Sequence, residues 1–445
     1  MTAAAGSGGA VLADLHVHVG RAVGRVVKVT ASERLTVRGI IEESATRKGL
    51  HAVGIVDAHS PHVLKELEDL VGAGDLETPG GGGLRWKGDV PLLLVLASEV
   101  EVEEEGVGAV HHLCFLPDLE VCRGFSDFLA RRVSNIGLSS QKARASGDEL
   151  ALWVGREGGF LVPAHVFTPH KGFFGQGGSD LRQVFSDRAL EFVPAVELGL
   201  SADTAMADRV PSLRGFTFLS NSDAHSPETI AREHNALLPE EGPDGLDFKA
   251  LAGAVRLGAV AANYGLDPRL GKYHRAWCPS CGWVPDGGDG PGPGRDRGRR
   301  RCPSCGRPGV VGGVFDRVEE LAARQPHPKD AAGRRRGEGG RRPPYVHHIP
   351  LRQVPGVGPK TLEVLLEAFG TEMRVLHGAT REELTEVVGP ELAARIAAAR
   401  GDTSALDILP GAGGRYGRVL LAGDRSRGRR RRAGDDGDRP KADPA

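Results

Sequence analysis

Seven times within its first 225 residues the chain runs through a short apolar stretch and delivers an imidazole or a carboxylate at or near its end. The stretches, rich in Val, Leu and Ile, are Val11–Val19, His51–Asp57, Pro91–Val100, Ala109–Leu116, Phe160–Val166, Phe192–Leu198 and Gly215–Ser220. Each reads as a buried strand. The first ends in His16 and His18, two apart and therefore on one face. The second ends in Asp57, with His59 beyond it, and the third in Glu99. The fourth carries His111 and His112, the fifth ends in His165, the sixth in Glu197, and the seventh runs into Asp223 and His225. Helical patterns lie between them, as over Ala31–Lys48, Pro61–Val71 and Glu149–Arg156, and helices are predicted to follow at Ser226–Leu238 and Leu246–Gly258.

Strands alternating with helices imply an α/β fold with a mainly parallel sheet, closed as a barrel or open. In either form the C-terminal strand ends are where active sites are built. Unpaired imidazoles and carboxylates buried there would be costly, and cations relieve that cost. So large a ligand set implies two or three divalent ions, and mixed nitrogen and oxygen ligation suits zinc, manganese, magnesium or iron. Clustered ions would acidify a water, orient a phosphate and stabilise both attacking and leaving oxygens. No nucleophilic Ser or Cys motif competes; Cys114 and Cys122 read as structural.

The 445 residues allow two or three domains. The longest apolar run, Val90 to Ala97, is too short to span a membrane, and no signal peptide is visible at the start. Six cysteines, four of them in CxxC pairs, suit a reducing cytoplasm, with nucleoid association following from any DNA role. The net charge of −1 hides an asymmetry. Residues 276–445 hold 30 Lys and Arg against 22 Asp and Glu, leaving an acidic front half and a basic back half. That balance fits metal binding in front and a polyanion behind, or simply solvated Arg runs in the segments around Arg334–Arg336 and Arg429–Arg432. Residues 72–89 are Gly-rich and look like an inserted loop.

Cys278, Cys281, Cys302 and Cys305 form two CxxC pairs 20 residues apart. Four thiolates at that spacing place one structural zinc in a closed tetrahedral ribbon. VPGVGPKT, Val354 to Thr361, resembles the hairpin of a helix-hairpin-helix unit. Gly356 and Gly358 would let backbone N–H groups face a phosphate, with Lys360 adding charge. Such a contact supplies affinity without sequence preference.

DLHVHV, GIVDAH, ASEVEV, VHHLCFLP, PAHVFTPH and SNSDAHSP resemble, in that order, the motifs of the PHP (polymerase and histidinol phosphatase) superfamily. Its members are distorted barrels of seven βα units with a trinuclear metal centre, and they hydrolyse phosphoesters. The resemblance implies His16, His18, Glu99, His112, His165, Asp223 and His225 as ligands. It departs at the second motif, where Asp57 is followed by Ala58 and His59 comes one place late. Either residue could fill that position, Asp57 being preferred; His111 and Glu197 stand as further candidates.

PAHVFTPHKGFFG, AVELGLSADTAM, SNSDAHSP, GKYH, the cysteine ribbon, GGVFDRVEELAAR and PGAGGRYG narrow the resemblance to the endonuclease Q family, over most of residues 11–420. What that family implies is DNA repair: a metal-activated water cuts duplex DNA on the 5′ side of a deaminated base (uracil, hypoxanthine, xanthine) or an abasic site. The cut leaves a 3′-hydroxyl and a 5′-phosphate. An enzyme of that kind must extrude a base. The loop after His165, with Phe167, His170, Lys171, Phe173 and Phe174, would wall the pocket, Lys171 meeting phosphate, unless it is a lid or a core anchor. The expected organisation is a PHP-type (β/α)7 barrel over 11–270, the ribbon with an insert over 271–325 and a basic linker over 326–344. A helix-hairpin-helix-like region over 345–420 follows, then a charged tail over 421–445, which could carry a replication or repair protein partner. Two alternatives stay open at this point: a PHP phosphatase or exonuclease on another phosphoester, and a DNA-binding scaffold with an inactive barrel.

Overall fold

The computed structural model describes residues 9–285, 301–324, 342–401 and 407–420. The Gly/Pro/Arg tract between the cysteine pairs, most of the expected linker and the charged tail lie outside the described residues. Ten strands carry the description: β1 (Val11–Val17), β2 (Ala52–Ile55), β3 (Leu92–Glu104), β4 (Gly108–Leu116), β5 (Phe160–Pro163), β6 (Ala195–Glu197), β7 (Thr217–Leu219), β8 (His234–Leu237), β9 (Val260–Gly265) and β10 (Tyr345–His347).

The first seven, those expected from the apolar runs, close a ring. β1, β2 and β3 run parallel, β4 is antiparallel to β3, and β5 is antiparallel to β4. Leu161 N donates to Phe192 O and Val166 N to Glu197 O, joining β5 to β6, which pairs with β7 in parallel. The chain after β7 returns to β1, where His18 N donates to Ala224 O and Ala224 N to His16 O, both at 3.1 Å. The ring is therefore mainly parallel, with β4 the one reversed strand. Three residues join β3 to β4, far too few for the crossover that a parallel pair needs.

Alternate residues on these strands serve two layers. Leu15, Ala52, Val95, Leu113, Val162, Ala195 and Leu219, one from each ring strand, share one apolar cluster. Val53, Leu94, Leu96, Cys114, Leu161, Val196 and Phe218 belong to a second cluster with the helices. Each large side chain so buried contributes roughly 1.5–3 kcal/mol. The helices are α1 (Val37–Glu42, continued by a π-turn over Glu43–Lys48), α2 (Pro61–Gly72), α3 (Leu119–Ala130), α4 (Gly147–Arg156) and α5 (Phe248–Leu257). Asp118, Ser146 and Asp247 cap α3, α4 and α5 with their side chains.

Two expectations fail here. Ser226–Leu238 is not a helix: a short 3-10 turn at Pro227–Thr229 leads into β8, which pairs with the start of β1 and with β9. Asn235 of β8 is buried because its amide bridges Asn221 and the Ser220 and Ala13 carbonyls, a polar network that masks the strand pattern. Residues 72–89 are not a plain loop either, since Leu76–Glu77 and Leu84–Trp86 form a hairpin that pairs with β3. Leu84 and Leu76 are buried, which anchors the insertion.

Behind the barrel, the backbone turns at both CxxC pairs in the same way: Gly282 N donates to Cys278 O and Gly306 N to Cys302 O, each at 2.8 Å. Helix α6 (Val314–Ala322) follows, and its Arg317 holds the carbonyls of Phe174, Gly177 and Gly178. Arg342, which falls in the expected linker, stacks over Phe218 and bonds Phe216 O, so the chain is already packed there. The C-terminal helices are α7 (Pro359–Phe369), α8 (Arg381–Val388) and α9 (Pro390–Ala398).

Candidate metal centre and its cavity

Val95, Ala97, Glu99 and Glu101 share one face of β3, apolar at one end and acidic at the other. Register pairs His111 of β4 with Glu101 and His112 with Val100, so His111 faces the carboxylates and His112 faces away. A register shift between Asp14 and Val17 re-aims β1 and presents His16 and His18 to the same place. His165 and Asp223 arrive with φ of 28° and 47°, a conformation disfavoured for both residues and found where a site dictates side-chain direction.

Two triads result. One nitrogen or oxygen from each of His16, His18 and Asp223 lies within 4.8 Å of the others, and the same holds for Glu99, His111 and His165. Glu99 joins them: its carboxylate is 3.5 Å from Nε2 of both His16 and His18, 2.8 Å from His111 Nδ1 and 3.4 Å from His165 Nε2. Nε2 of His16 and of His18 is buried and has no hydrogen-bond partner. Their far nitrogens are held. His16 Nδ1 lies 3.0 Å from Glu197 Oε1, and His18 Nδ1 lies 3.1 Å from Asp57 Oδ2. A carboxylate behind each ring fixes its tautomer and turns the free lone pair toward the centre, as outer-shell partners of metal-bound histidines do.

The charges are consistent with a place for cations. Burial works to raise the Glu99 carboxyl, but His111 and Lys28 outweigh it and hold it well below the usual carboxylate range. Asp223 is held low in the same way by His16 and His225, and Asp57 is pulled down to about 2 by His18 against its own burial. Burial opposes protonation of His16, yet Glu197 and Asp223 hold it well above an ordinary histidine. Divalent ions held by these groups would balance the carboxylates. Residues and chemistry fit a metal centre.

The structure redistributes the expected ligands. His16, His18, Glu99, His165 and Asp223 converge, and His225 stands beside them with its ring 4.7 Å from that of His18. His112 does not belong: it is buried on the helix side, 3.4 Å from Glu104 and packed on Phe185. His111 lies in the cluster, 2.8 Å from Glu99. Asp57 and Glu197 stand behind the histidines. His59, buried and bonded to Ser98 Oγ at 2.7 Å, is outside the cluster.

A cavity of about 250 Å³ opens over the triads. Phe167, Phe173 and Phe174 do not wall it; they are buried, Phe174 stacking on Phe167 at 5.4 Å and meeting Phe173 edge to face at 5.1 Å, a core anchor under the loop. The aromatic lining comes from His170, Tyr273 and Tyr416 instead, and Lys171 lines it while paired to Glu101 at 3.0 Å. Lys28 and Lys272 add positive charge. Lys28, which sequence reasoning missed, reaches Glu99 at 3.3 Å and Ser140 at 2.7 Å from a loop with no motif to mark it.

The four cysteine sulfurs lie within 4.8 Å of one another, with Cys278–Cys305 and Cys281–Cys302 at 3.8 and 3.6 Å. A tetrahedron of thiolates about 2.3 Å from one ion has edges of about 3.8 Å. At the hairpin, Val357 N donates to Val354 O, Gly356 adopts φ 99°, and Gly358 starts α7 with Lys360 exposed. A second Gly-Pro start, Gly389-Pro390, opens α9, whose Arg395 bonds Pro355 O and braces the first hairpin. Glu391 stands where the first hairpin has Lys360, so only the first suits a phosphate.

Comparison with known proteins agrees with this geometry. Residues 349–402 match the family model of a SAM-like helix-hairpin-helix tandem. The chain is 42% identical over 419 residues to the uncharacterized protein YqxK of Bacillus subtilis (strain 168), spanning 92% of this chain and 99% of that one. The lesion-specific endonuclease PfuEndoQ of Pyrococcus furiosus superposes with a TM-score of 0.72 at 29% identity, over 93% of this chain and 96% of that one. Endonuclease Q in complex with a 27-mer duplex carrying an abasic lesion at its active site superposes with a TM-score of 0.70 at 30% identity, over 93% and 97%.

Proposed function

The chain belongs to the endonuclease Q family, and from that premise we propose that it is a DNA-repair endonuclease that cuts duplex DNA at abasic sites and at deaminated bases. The observation that carries this is the convergence of two ligand triads at one cavity, lined by His18, Asp223, Glu99, His111 and His165, with the Nε2 atoms of His16 and His18 buried in the cluster without a hydrogen-bond partner. His16, His18, Asp223, Glu99, His111 and His165 would hold the divalent ions. Such ions supply Lewis-acid activation of water and neutralise charge on phosphoryl oxygens.

The chain's own residues do the rest. Asp57 and Glu197 keep the imidazoles oriented. Lys28 and Lys272 draw the phosphate backbone to the cavity mouth, and His170, Tyr273 and Tyr416 offer rings against which an extruded uracil, hypoxanthine or xanthine can stack. The hairpin at Gly356–Lys360 holds the flanking duplex by its backbone. Incision is assigned to the 5′ side of the lesion, giving a 3′-hydroxyl and a 5′-phosphate, and the ribbon ion is assigned as zinc.

The test is a nicking assay on labelled duplexes with manganese or magnesium. Abasic, uracil and hypoxanthine duplexes should be cut and an undamaged one spared, with Asp223→Asn as the inactive control. Equal cutting of all, or turnover only of a small phosphate ester, would overturn the assignment. Cutting of the abasic duplex alone would remove the deaminated bases from it.

The same assay separates the neighbouring histidines. His111→Ala should lose more than the roughly 10–100-fold that an outer-shell partner is worth. His112→Ala should cut normally while losing about 1–3 kcal/mol of stability, because Glu104 is left buried with a partner fewer. The reverse order of effects on cutting would return the ligand role to His112.

A further inference from the structure

Away from the cavity, three imidazoles from distant parts of the chain meet where the C-terminal helices seat on the barrel. His234 lies on β8, His348 directly follows β10, and His377 lies in the π-turn Arg374–Gly378 between α7 and α8. One ring nitrogen of each is within 4.8 Å of the other two, and Nε2 of His234 and of His377 are 3.1 Å apart. None of the three lines the cavity over the triads.

Hydrogen bonds behind two of the rings decide where their lone pairs point. His234 Nδ1 donates to Ala231 O at 3.1 Å, which leaves Nε2 as the lone-pair nitrogen. His348 Nε2 donates to Arg232 O at 2.7 Å, which leaves Nδ1. His348 is 1% exposed, and its Nδ1 is buried with no hydrogen-bond partner. A backbone carbonyl holding each ring from behind, with the free nitrogens converging in front, is how ligand histidines are set around an ion. Tyr264 stacks on His234 at 4.9 Å and closes one side.

We propose that His234, His348 and His377 form a further metal site, of the kind that takes zinc, which pins the helix-hairpin-helix unit to the barrel. Three neutral imidazoles without a carboxylate suit zinc and discriminate against magnesium or calcium, which seek oxygen. The two bodies already meet nearby: Lys48 of the barrel reaches Glu372 at 2.9 Å in a buried pair, and Arg47 reaches Glu363 at 2.7 Å. An ion between β8 and the His377 turn fixes the angle at which the DNA-holding hairpin is presented.

The experiment counts metal on the full-length protein after equilibration with zinc. It compares the wild type with His377→Gln, His348→Ala and the ribbon variant Cys281→Ser, and circular dichroism reports folding. His377 lies at the rim of the cluster, so His377→Gln keeps the fold even where His348→Ala does not. Expected is one ion fewer in each histidine variant and two fewer when His377→Gln is combined with Cys281→Ser. In the cobalt-loaded protein, His377→Gln should remove a tetrahedral d–d band while leaving the sulfur-to-cobalt absorption that Cys281→Ser removes. An unchanged ion count in folded His377→Gln, or loss of the sulfur-to-cobalt band with it, would overturn the site. Metal counting does not depend on nicking, so its failure is distinct from failure of the endonuclease assignment.

Discussion

Glu99→Gln is expected to reduce nicking of an abasic duplex by about 10³-fold, with the protein still folded. The substitution keeps the shape and removes one charge. That charge is shared: Glu99 touches His16, His18, His111, His165 and Lys28. It is held well below the usual carboxylate range, so at any working pH it acts as an anion and not as a proton donor. Removing the anion that both triads use should cost several kcal/mol of charge stabilisation in the transition state, and about 4 kcal/mol is about 10³ in rate. Single-turnover nicking together with a metal count checks it. A rate within tenfold of the wild type would mean that the two triads do not act as one centre.

Cys302→Ser is expected to remove one ion and unfold the ribbon while the barrel stays intact. The ribbon's own apolar cluster is Ala276, Cys278, Cys302 and Val310, with Trp283 packed on it. That is too little to order the chain, whereas a structural zinc in a peptide of this size is worth about 10–16 kcal/mol. The effect should also reach the cavity. Arg275 bridges to Ala412, and the Trp277 ring covers Gly413 at the approach to Tyr416, which lines the cavity mouth. Loss of that support should weaken cutting by about tenfold, equivalent to about 1.4 kcal/mol. Limited proteolysis should then cleave within 277–283 or 302–311, segments expected to resist in the wild type. Resistance in the variant would show that the thiolates do not hold the ribbon.

Much of this architecture could be read from the sequence because the strands are continuous apolar runs, and continuous runs survive without knowledge of tertiary partners. All seven ring strands were legible for that reason, as were the polar residues they carry, though β4 runs backwards and brings His111 from its first half. Which of two adjacent histidines faces the centre was not. His111 and His112 differ only in parity, and parity is set by the β3–β4 register, which pairs His111 with Glu101. The part played by Phe167, Phe173 and Phe174 stayed open for a related reason, since an aromatic run after a ligand looks the same whether it lines a pocket or anchors a loop. β8 was hidden because His234 and Asn235 are buried by hydrogen bonding and not by apolarity. Lys28 left no signal at all: its role comes from where a loop happens to fold back.

The carboxylates of Asp57 and Glu197 have an implication for how the protein would behave under scarcity. Because these two groups lock the rings of His16 and His18 before any ion arrives, the stripped polypeptide should keep its coordinating shape. It would then regain full competence on re-exposure to metal, with no refolding. A cell starved of the ion would accumulate an idle but undamaged nuclease, ready within the time it takes a cation to diffuse in.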